Sequence, residues 1–381
     1  MGLATTFAGS GSGFVSGCGR MTLIIYILRI GGGINMLYFE NDYAEGAAPA
    51  VLQALIDSNM EHLPGYGEDR YSQAAADKIR TAMACPDATV KFITGGTQTN
   101  ALALDLLLQP YEGVIAPDTA HINTHEAGAI ELTGHKVLPQ PSKLGKIDAA
   151  TIEQFLTAWI SDGSHEHMVQ PGMVYLTFPT EYGTLYTADE LRAIATVCRQ
   201  HDLRLYIDGA RLAYGLAASN DVTLPLLAQL CDAFYIGGTK CGALAGEALV
   251  FTRPDGVPAH LVNRIKQHGA LVAKGRLLGV QFGVLFTDGL YEQLGKHALR
   301  MADNLRRALV ANGIPRFIES PTNQQFPVVS TSQQAQLAQN VRFSVWGKYD
   351  DDHTVIRLAT SWATTEDDVT ALAKELQRIG A

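Results

Sequence analysis

No two of the five cysteines in this 381-residue chain stand in a Cys-x-x-Cys spacing; Cys18, Cys85, Cys198, Cys231 and Cys241 are scattered. The pattern excludes a zinc ribbon or a dithiol redox centre, and it fits a reducing cytoplasm better than a disulfide-stapled secreted fold. Cys241 reads as a small packing residue. His165-x-His167 has no further Cys or His at matching spacing, so no metal site is expected. Basic charge is in deficit, with 29 Lys and Arg against 38 Asp and Glu, a net charge of −9. That balance excludes nucleic acid or an anionic membrane surface as the main partner, so any phosphate bound is a small ligand held locally. Charged residues are few (18%) and hydrophobic ones many (47%), as in a well-buried globular enzyme. Internal repeats, heptads and low-complexity segments are lacking after residue 36.

The first 35 residues differ from the rest. They are rich in Gly, Ser and Thr, and their one apolar patch, residues 21–30, is broken by Arg29 and too short to span a bilayer. Residues 1–35 are expected to lie outside the enzyme fold as an upstream extension, with Met36 the natural start. An export signal is the alternative, since Arg20 precedes the apolar patch.

From Leu37 onward, strand and helix patterns alternate as in an α/β sheet. Helices are expected over 49–59, 72–84 (capped by Ser72), 96–108 and 188–201, and strands over 90–93, 113–116, 136–138, 173–177, 203–207, 233–236 and 248–252. A strongly helical stretch, 261–290, precedes a change of character. A long helix (292–312) is then followed by short strands near 316–319, 325–329, 342–346 and 355–359 and a final helix, 365–379. This segregation divides the chain into a large domain, 36–290, and a smaller α+β domain, 291–381.

The chemistry concentrates at strand ends. The apolar strand through Leu203, Leu205 and Ile207 delivers Asp208-Gly209-Ala210-Arg211, and the next, through Ala233 to Ile236, delivers Gly237-Gly238-Thr239-Lys240. An acid and a lysine at adjacent strand ends suit pyridoxal phosphate (PLP): the lysine forms a Schiff base and the acid keeps the ring nitrogen protonated. Read singly, Asp208 is an ordinary helix cap paired with Arg211, and Lys240 a surface residue. Thr94-Gly95-Gly96-Thr97 between strand and helix suits a phosphate, because glycines let the backbone approach and the helix N-terminus offers free N–H groups. The same residues also start helices without a ligand. His121 in a post-strand loop can stack on a ring; Arg357 on an apolar strand can clamp a carboxylate or serve an interdomain ion pair. Lys274-Gly275-Arg276 is a basic turn able to reach a phosphate or simply to face solvent.

Together these residues resemble the PLP-dependent threonine aldolases of the β-eliminating lyase group, within the aspartate-aminotransferase-like superfamily, over nearly everything from Tyr38 onward. Asp208 to Arg211 matches the family's Asp-Gly-Ala-Arg signature, Gly95-Gly96-Thr97 its phosphate turn, and Asp118 to His121 the segment of its ring-stacking histidine. Tyr66-Gly67-Glu68-Asp69 and Arg357 to Trp362 match two further motifs, as do Arg276, Gly279 and Gln281. The resemblance implies a fold type I large domain with a mostly parallel seven-stranded sheet and a smaller C-terminal α+β domain. It further implies PLP as cofactor, held by Gly95, Gly96, Thr97, His121, Asp208, Arg211, Thr239 and Lys240. The activity implied is cleavage of a β-hydroxy-α-amino acid such as threonine or allo-threonine to glycine and an aldehyde, in a homodimer or dimer of dimers. Substrate binding falls to Asn41, Arg211 and Arg357. The general base is left among His121, His125, His167 and water, with His167 near a family histidine implicated in proton transfer. The chain departs at Glu40-Asn41-Asp42-Tyr43, where the family has Arg-Ser-Asp-Thr, at the Gly-Gly-Thr-Lys-Cys turn, and at Pro179 to Gly183. These changes bear on substrate identity, and a β-eliminating lyase or aminotransferase acting on another amino acid is the alternative.

Overall fold

The computed structural model describes residues 36–219 and 221–380; the expected N-terminal extension, 1–35, lies outside them. Strand β1 (Leu37–Tyr38) precedes β2 (Thr89–Ile93), β3 (Glu112–Pro117), β4 (Val137–Gln140), β5 (Gln170–Thr177), β6 (Arg204–Asp208), β7 (Ala233–Gly237) and β8 (Glu247–Phe251). The last seven form one sheet in the order β2-β8-β7-β6-β5-β3-β4. Only β8 runs antiparallel, against both β2 and β7.

Strands buried on both faces must be apolar throughout, and the sheet needs helices on each side. Alternate residues accordingly enter separate cores. Ile115, Val174, Ile207, Phe234 and Val250 join helices Ala149–Ser161, Ala188–Gln200 and Arg276–Leu285. Val114, Met173, Tyr175, Tyr206, Tyr235 and Leu249 join helix Gly96–Leu107. By the same two-residue period, Asp208 (two after Tyr206) and Glu247 (two before Leu249) point to the face that the Gly96–Leu107 helix covers. The carboxyl ends of parallel strands are where ligands bind in such sheets, and there β2, β6 and β7 end at Ile93, Asp208 and Gly237.

The second, smaller sheet orders β10 (Val328–Ser330), β13 (His353–Ala359) and β12 (Ser344–Lys348), with β9 (Gln324–Gln325) also on β13. β11 (Val341–Arg342) pairs with β1, so the start of the described chain packs in the C-terminal core with Leu358 and Leu372. Helix Leu290–Ala311 joins the two parts: Tyr291 and Ala298 lie in the large core, Met301, Leu305 and Leu309 in the small one.

Two local expectations are corrected. The helix expected to be capped by Ser72 is Arg70–Ala82, capped by Asp69, whose carboxylate accepts from the Ser72 amide (2.9 Å) and hydroxyl (2.8 Å). An aspartate ahead of the first turn out-competed the serine because it also offers charge to the helix N-terminus. Residues 316–319 form no strand; only Arg316 bridges to Pro327.

Candidate active site

Two glycines bring the lysine and aspartate turns together. A side chain at Gly209 would stand 2.0 Å from the Tyr235 carbonyl oxygen, and one at Gly237 would stand 2.3 Å from that of Ala210. Bare backbone lets the loops touch, and the Gly237 amide donates to the Gly209 carbonyl at 2.9 Å. Asp208 and Lys240 thereby line one cleft with Tyr43, Gly95, Gly96, Thr97, His121, Glu126, Glu181, Thr239 and Glu247.

Asp208 is 2% exposed, and its carboxylate accepts hydrogen bonds from neutral donors. Its Oδ2 accepts from Tyr175 (2.6 Å) and Asn100 Nδ2 (2.9 Å), and its Oδ1 from the Ala210 amide (2.9 Å). Burial first, then the Asp208 charge, pushes the Tyr175 phenol far above its usual range, so it stays an O–H donor. Among the described residues no Lys, Arg or His forms an ion pair with Asp208, although a buried carboxylate calls for a cation. The pair with Arg211 that the alternative, helix-capping reading called for is not made; Arg211 pairs with Asp42.

Among the described residues Lys240 has no ion pair and its Nζ makes no hydrogen bond; the Nζ stands over the Tyr43 ring, 5.8 Å from its centroid. Burial, then the Arg211 charge, lowers its pKa and favours the neutral amine. Thr239, beside it, receives the Gly246 amide at 3.0 Å. The Gln281 side-chain Oε1 ties down the loop beyond by accepting from the Leu244 amide at 2.7 Å. At the cleft wall, helix Gly96–Leu107 starts with no side-chain cap, and a Cβ at Gly96 would meet the Tyr235 hydroxyl at 3.2 Å.

His121 Nδ1 lies 2.7 Å from Glu126 Oε1, which also receives Asn100 Nδ2 at 2.7 Å. One amide therefore joins Glu126 to Asp208. Burial opposes charge on His121, but the Glu126 bond and the Glu181 and Asp208 charges outweigh it and raise its pKa. With Nδ1 tied to a carboxylate, Nε2 is the nitrogen left for the cleft. The His125 ring lies 5.6 Å from that of His121, and its side chain is exposed.

Three expectations are corrected. His167 sits exposed beside the amino end of β5, whereas the cleft lies at the carboxyl end. Eight residues of strand at about 3.3 Å each separate the two, so a β-strand's length keeps His167 from the site within this chain. Arg211 is committed elsewhere: its Nε (2.7 Å) and Nη2 (3.1 Å) clasp the buried Asp42 carboxylate, which also accepts from Asn323 (2.9 Å). The turn at Lys274-Gly275-Arg276 does not wait for a phosphate through its arginine, which donates to the carbonyls of Ser58 (3.0 Å), Asn59 (2.8 Å) and Glu61 (2.7 Å).

Arg357 donates to Gln324 Oε1 (3.0 Å), the Glu40 carbonyl (3.1 Å) and Ser344 (3.3 Å), and its Nε is buried without a partner. It has no interdomain carboxylate among the described residues, and burial with the Arg211 charge lowers its pKa. Asn41 Oδ1 accepts from the Tyr43 amide (3.0 Å) and so shapes the turn that carries Tyr43. Sequence reasoning missed Asn100, Glu126, Tyr175, Asp42 and Glu247. Glu126, five residues after His121, carried a weak local signal; the others meet only through the sheet.

The residues present fit pyridoxal phosphate. An uncapped helix N-terminus, and a buried carboxylate and a lysine that form no ion pair among the described residues, match the anion, ring nitrogen and aldehyde of that molecule.

The comparisons agree. The β-eliminating lyase family model matches residues 40–332. A low specificity L-threonine aldolase of Pseudomonas aeruginosa is 31% identical over 350 residues, 90% of this chain and 97% of that one. The threonine aldolase structure from Leishmania major is 44% identical with a TM-score of 0.87, covering 91% of this chain and all (100%) of that one. An aspartate aminotransferase of Thermus thermophilus shares the fold at 15% identity, TM-score 0.66, over 91% of this chain and 92% of that one. Enzymes of this family and fold use pyridoxal phosphate in general. With a mostly parallel seven-stranded sheet, a separate small domain and a family match across most of its length, this chain belongs to the β-eliminating lyase family of fold type I enzymes.

Proposed function

We propose that the protein is a PLP-dependent aldolase that cleaves β-hydroxy-α-amino acids of the threonine type to glycine and an aldehyde. The observation that carries this reading is the convergence on one cleft of Lys240 and a buried Asp208, neither with an ion pair among the described residues, and the open helix start at Gly96, in a chain related to threonine aldolases. When bound, the cofactor supplies an electron sink for the bond broken at the substrate's α-carbon. Asp208, oriented by Tyr175 and Asn100, holds a proton at the ring nitrogen. Lys240, its amine neutral through burial, is the attachment point. Gly95, Gly96, Thr97 and Thr239 hold the phosphate. Arg357 binds the substrate carboxylate, and Arg211, neutralised by Asp42, supports that site rather than clamping substrate itself. His121 takes the β-hydroxyl proton at Nε2 while Glu126 holds Nδ1. Residues up to 290 form the cofactor-binding part and 291–381 the smaller one, except that the opening strand Leu37–Tyr38 packs with the smaller part. A cytoplasmic homodimer or dimer of dimers is part of the same reading, supported by the lone cysteines and the superfamily likeness; no helix among the described residues is long and apolar enough to cross a membrane.

The test is product analysis with L-threonine and L-allo-threonine. Glycine with acetaldehyde supports the aldolase, whereas pyruvate with ammonia, or a keto acid formed by amino transfer, assigns the alternative lyase or aminotransferase. Lys240→Ala should lose both product formation and the cofactor's visible absorbance. Glycine formed by that variant at the unmutated rate overturns the assignment.

A further inference from the structure

Glu247 is a buried acid that the chemistry above does not use. It is 4% exposed, yet it opens β8, the second strand from one edge of the sheet, whose other residues (Ala248 to Phe251) are apolar. The register explains where it stands. On one side Glu247 pairs with Ile93, the last residue of β2, after which the chain makes Thr94-Gly95-Gly96-Thr97. On the other it pairs with Gly237, the last residue of β7, after which come Gly238-Thr239-Lys240. Because β8 alone runs backwards, its first residue falls at the edge where the other strands finish. Its side chain points to the face covered by the Gly96–Leu107 helix, beneath that helix's amino end, and lines the same cleft as Gly96, Thr97 and Thr239. Glu247 Oε2 accepts from the Gly238 amide at 2.9 Å, and no cation forms an ion pair with it among the described residues.

We propose that Glu247 is the proton-accepting residue of the phosphate cradle: its carboxylate takes up one proton from solvent when a phosphate monoester seats at the start of the Gly96–Leu107 helix. The inference rests on the PLP reading above. Its physical cause is charge. A phosphate dianion and an ionised carboxylate cannot share one water-poor cleft without strong repulsion, and protonation is the less costly outcome. A protonated acid also turns from acceptor to donor, which a phosphate oxygen can use.

Burial already pushes the Glu247 carboxyl up to about 7, against the Thr239 and Gly238 hydrogen bonds and the Lys240 charge that favour ionisation. The groups facing it are known on every side. Lys240, Thr239 and Cys241 come from the turn after β7, and Tyr235 from β7 itself; Asp208 and Tyr206 come from β6, and Tyr291 from helix Leu290–Ala311. The β2 side, residues 93–97, contributes no titratable group, and His121 and Glu126 line the same cleft. A carboxyl so poised is half-protonated near neutrality, so a neighbouring dianion tips it fully.

The test is cofactor binding to the full chain, stripped of cofactor, between pH 6.5 and 8.5. Pyridoxal 5′-phosphate is compared with pyridoxal, which forms the same bond to Lys240 but carries no phosphate. For the unmutated protein, the Kd of the phosphorylated compound should weaken by up to about tenfold per pH unit above neutrality, relative to pyridoxal, because one linked proton gives that slope. The phosphate's own second ionisation, with a pKa of about 6, is roughly nine-tenths complete by pH 7, so the slope is read above that point, where this ionisation adds little. Calorimetry in two buffers of different ionisation heat should count about one proton taken up at pH 8 with the phosphate and none with pyridoxal. Glu247→Gln should abolish both the extra slope and the extra proton. Equal slopes in the unmutated protein and the variant overturn the proposal. If Glu247→Gln does not fold, the proton count on the unmutated protein decides alone, and a count of zero overturns it. Failure of pyridoxal 5′-phosphate to bind at all would instead remove the cofactor assignment.

Discussion

Replacing Asp42 with alanine isolates the most heavily buried ion pair among the described residues. The carboxylate is 0% exposed, and it is clasped by Arg211 through Nε and Nη2 and by Asn323 from the small-domain side. Removing one partner of such a pair strands the other charge and costs about 3–5 kcal/mol. The acid's own titration gives an independent figure. Burial alone would raise its pKa, but the Arg211 and Lys240 charges and the donated hydrogen bonds outweigh that and bring it from 3.8 to about 2. At about 1.4 kcal/mol per pH unit, ionisation of Asp42 contributes about 2–3 kcal/mol of stability. Because the folded value lies below the unfolded one, this contribution is complete well above pH 3.8 and is lost as pH falls through about 2. About half is gone by pH 3. Urea unfolding followed by circular dichroism, at pH 7 and pH 3, measures both effects. Asp42→Ala should lose about 3–5 kcal/mol at pH 7, and its deficit should shrink by about 1 kcal/mol at pH 3. Arg211→Leu in the Asp42→Ala background should recover part of the loss, since it removes the stranded charge. A single variant within about 0.5 kcal/mol of the unmutated protein, or a deficit that does not narrow in acid, refutes the reasoning.

Three further outcomes follow from the site. Glu126→Gln keeps an acceptor at His121 Nδ1 but removes its charge, so the raised His121 pKa should fall. The acid limb of the kcat/KM profile should move down with it, and an unmoved limb would mean that His121 is not the base. Tyr175→Phe deletes a buried donor to Asp208 and should cost about 1–3 kcal/mol in thermal or urea unfolding, along with weaker cofactor retention; unchanged retention would detach Tyr175 from the ring-nitrogen site. Gly237→Ala would place a methyl 2.3 Å from the Ala210 carbonyl oxygen, so the loops must part at about 1–3 kcal/mol, and cofactor absorbance should drop more than stability does.

The legible part of this protein was local. Apolar runs such as residues 203–207 and 233–236 declared strands, the residues after them declared chemistry, and the 49–59 and 188–201 patterns declared helices close to those found. Such signals depend on neighbours in the chain, which a linear reading contains. Ser72 was misread as a cap because Asp69, a stronger competitor three residues earlier, was assigned only to a motif. His167 was misplaced because a motif carries no direction along a strand, and β5 runs from His167's end toward the cleft.

Only tertiary structure decided which charges would meet. Asp42 reaches Arg211 across 169 residues, and Asn100 reaches Asp208 across 108. The placement of Glu247 between the phosphate turn and the lysine turn exists because one strand of seven runs against the others. Composition and periodicity fix what a segment prefers, since those preferences are set by dihedral sterics and the burial of one face. Partner choice among buried polar groups is set by sheet order and register, and these emerge only when the whole core closes.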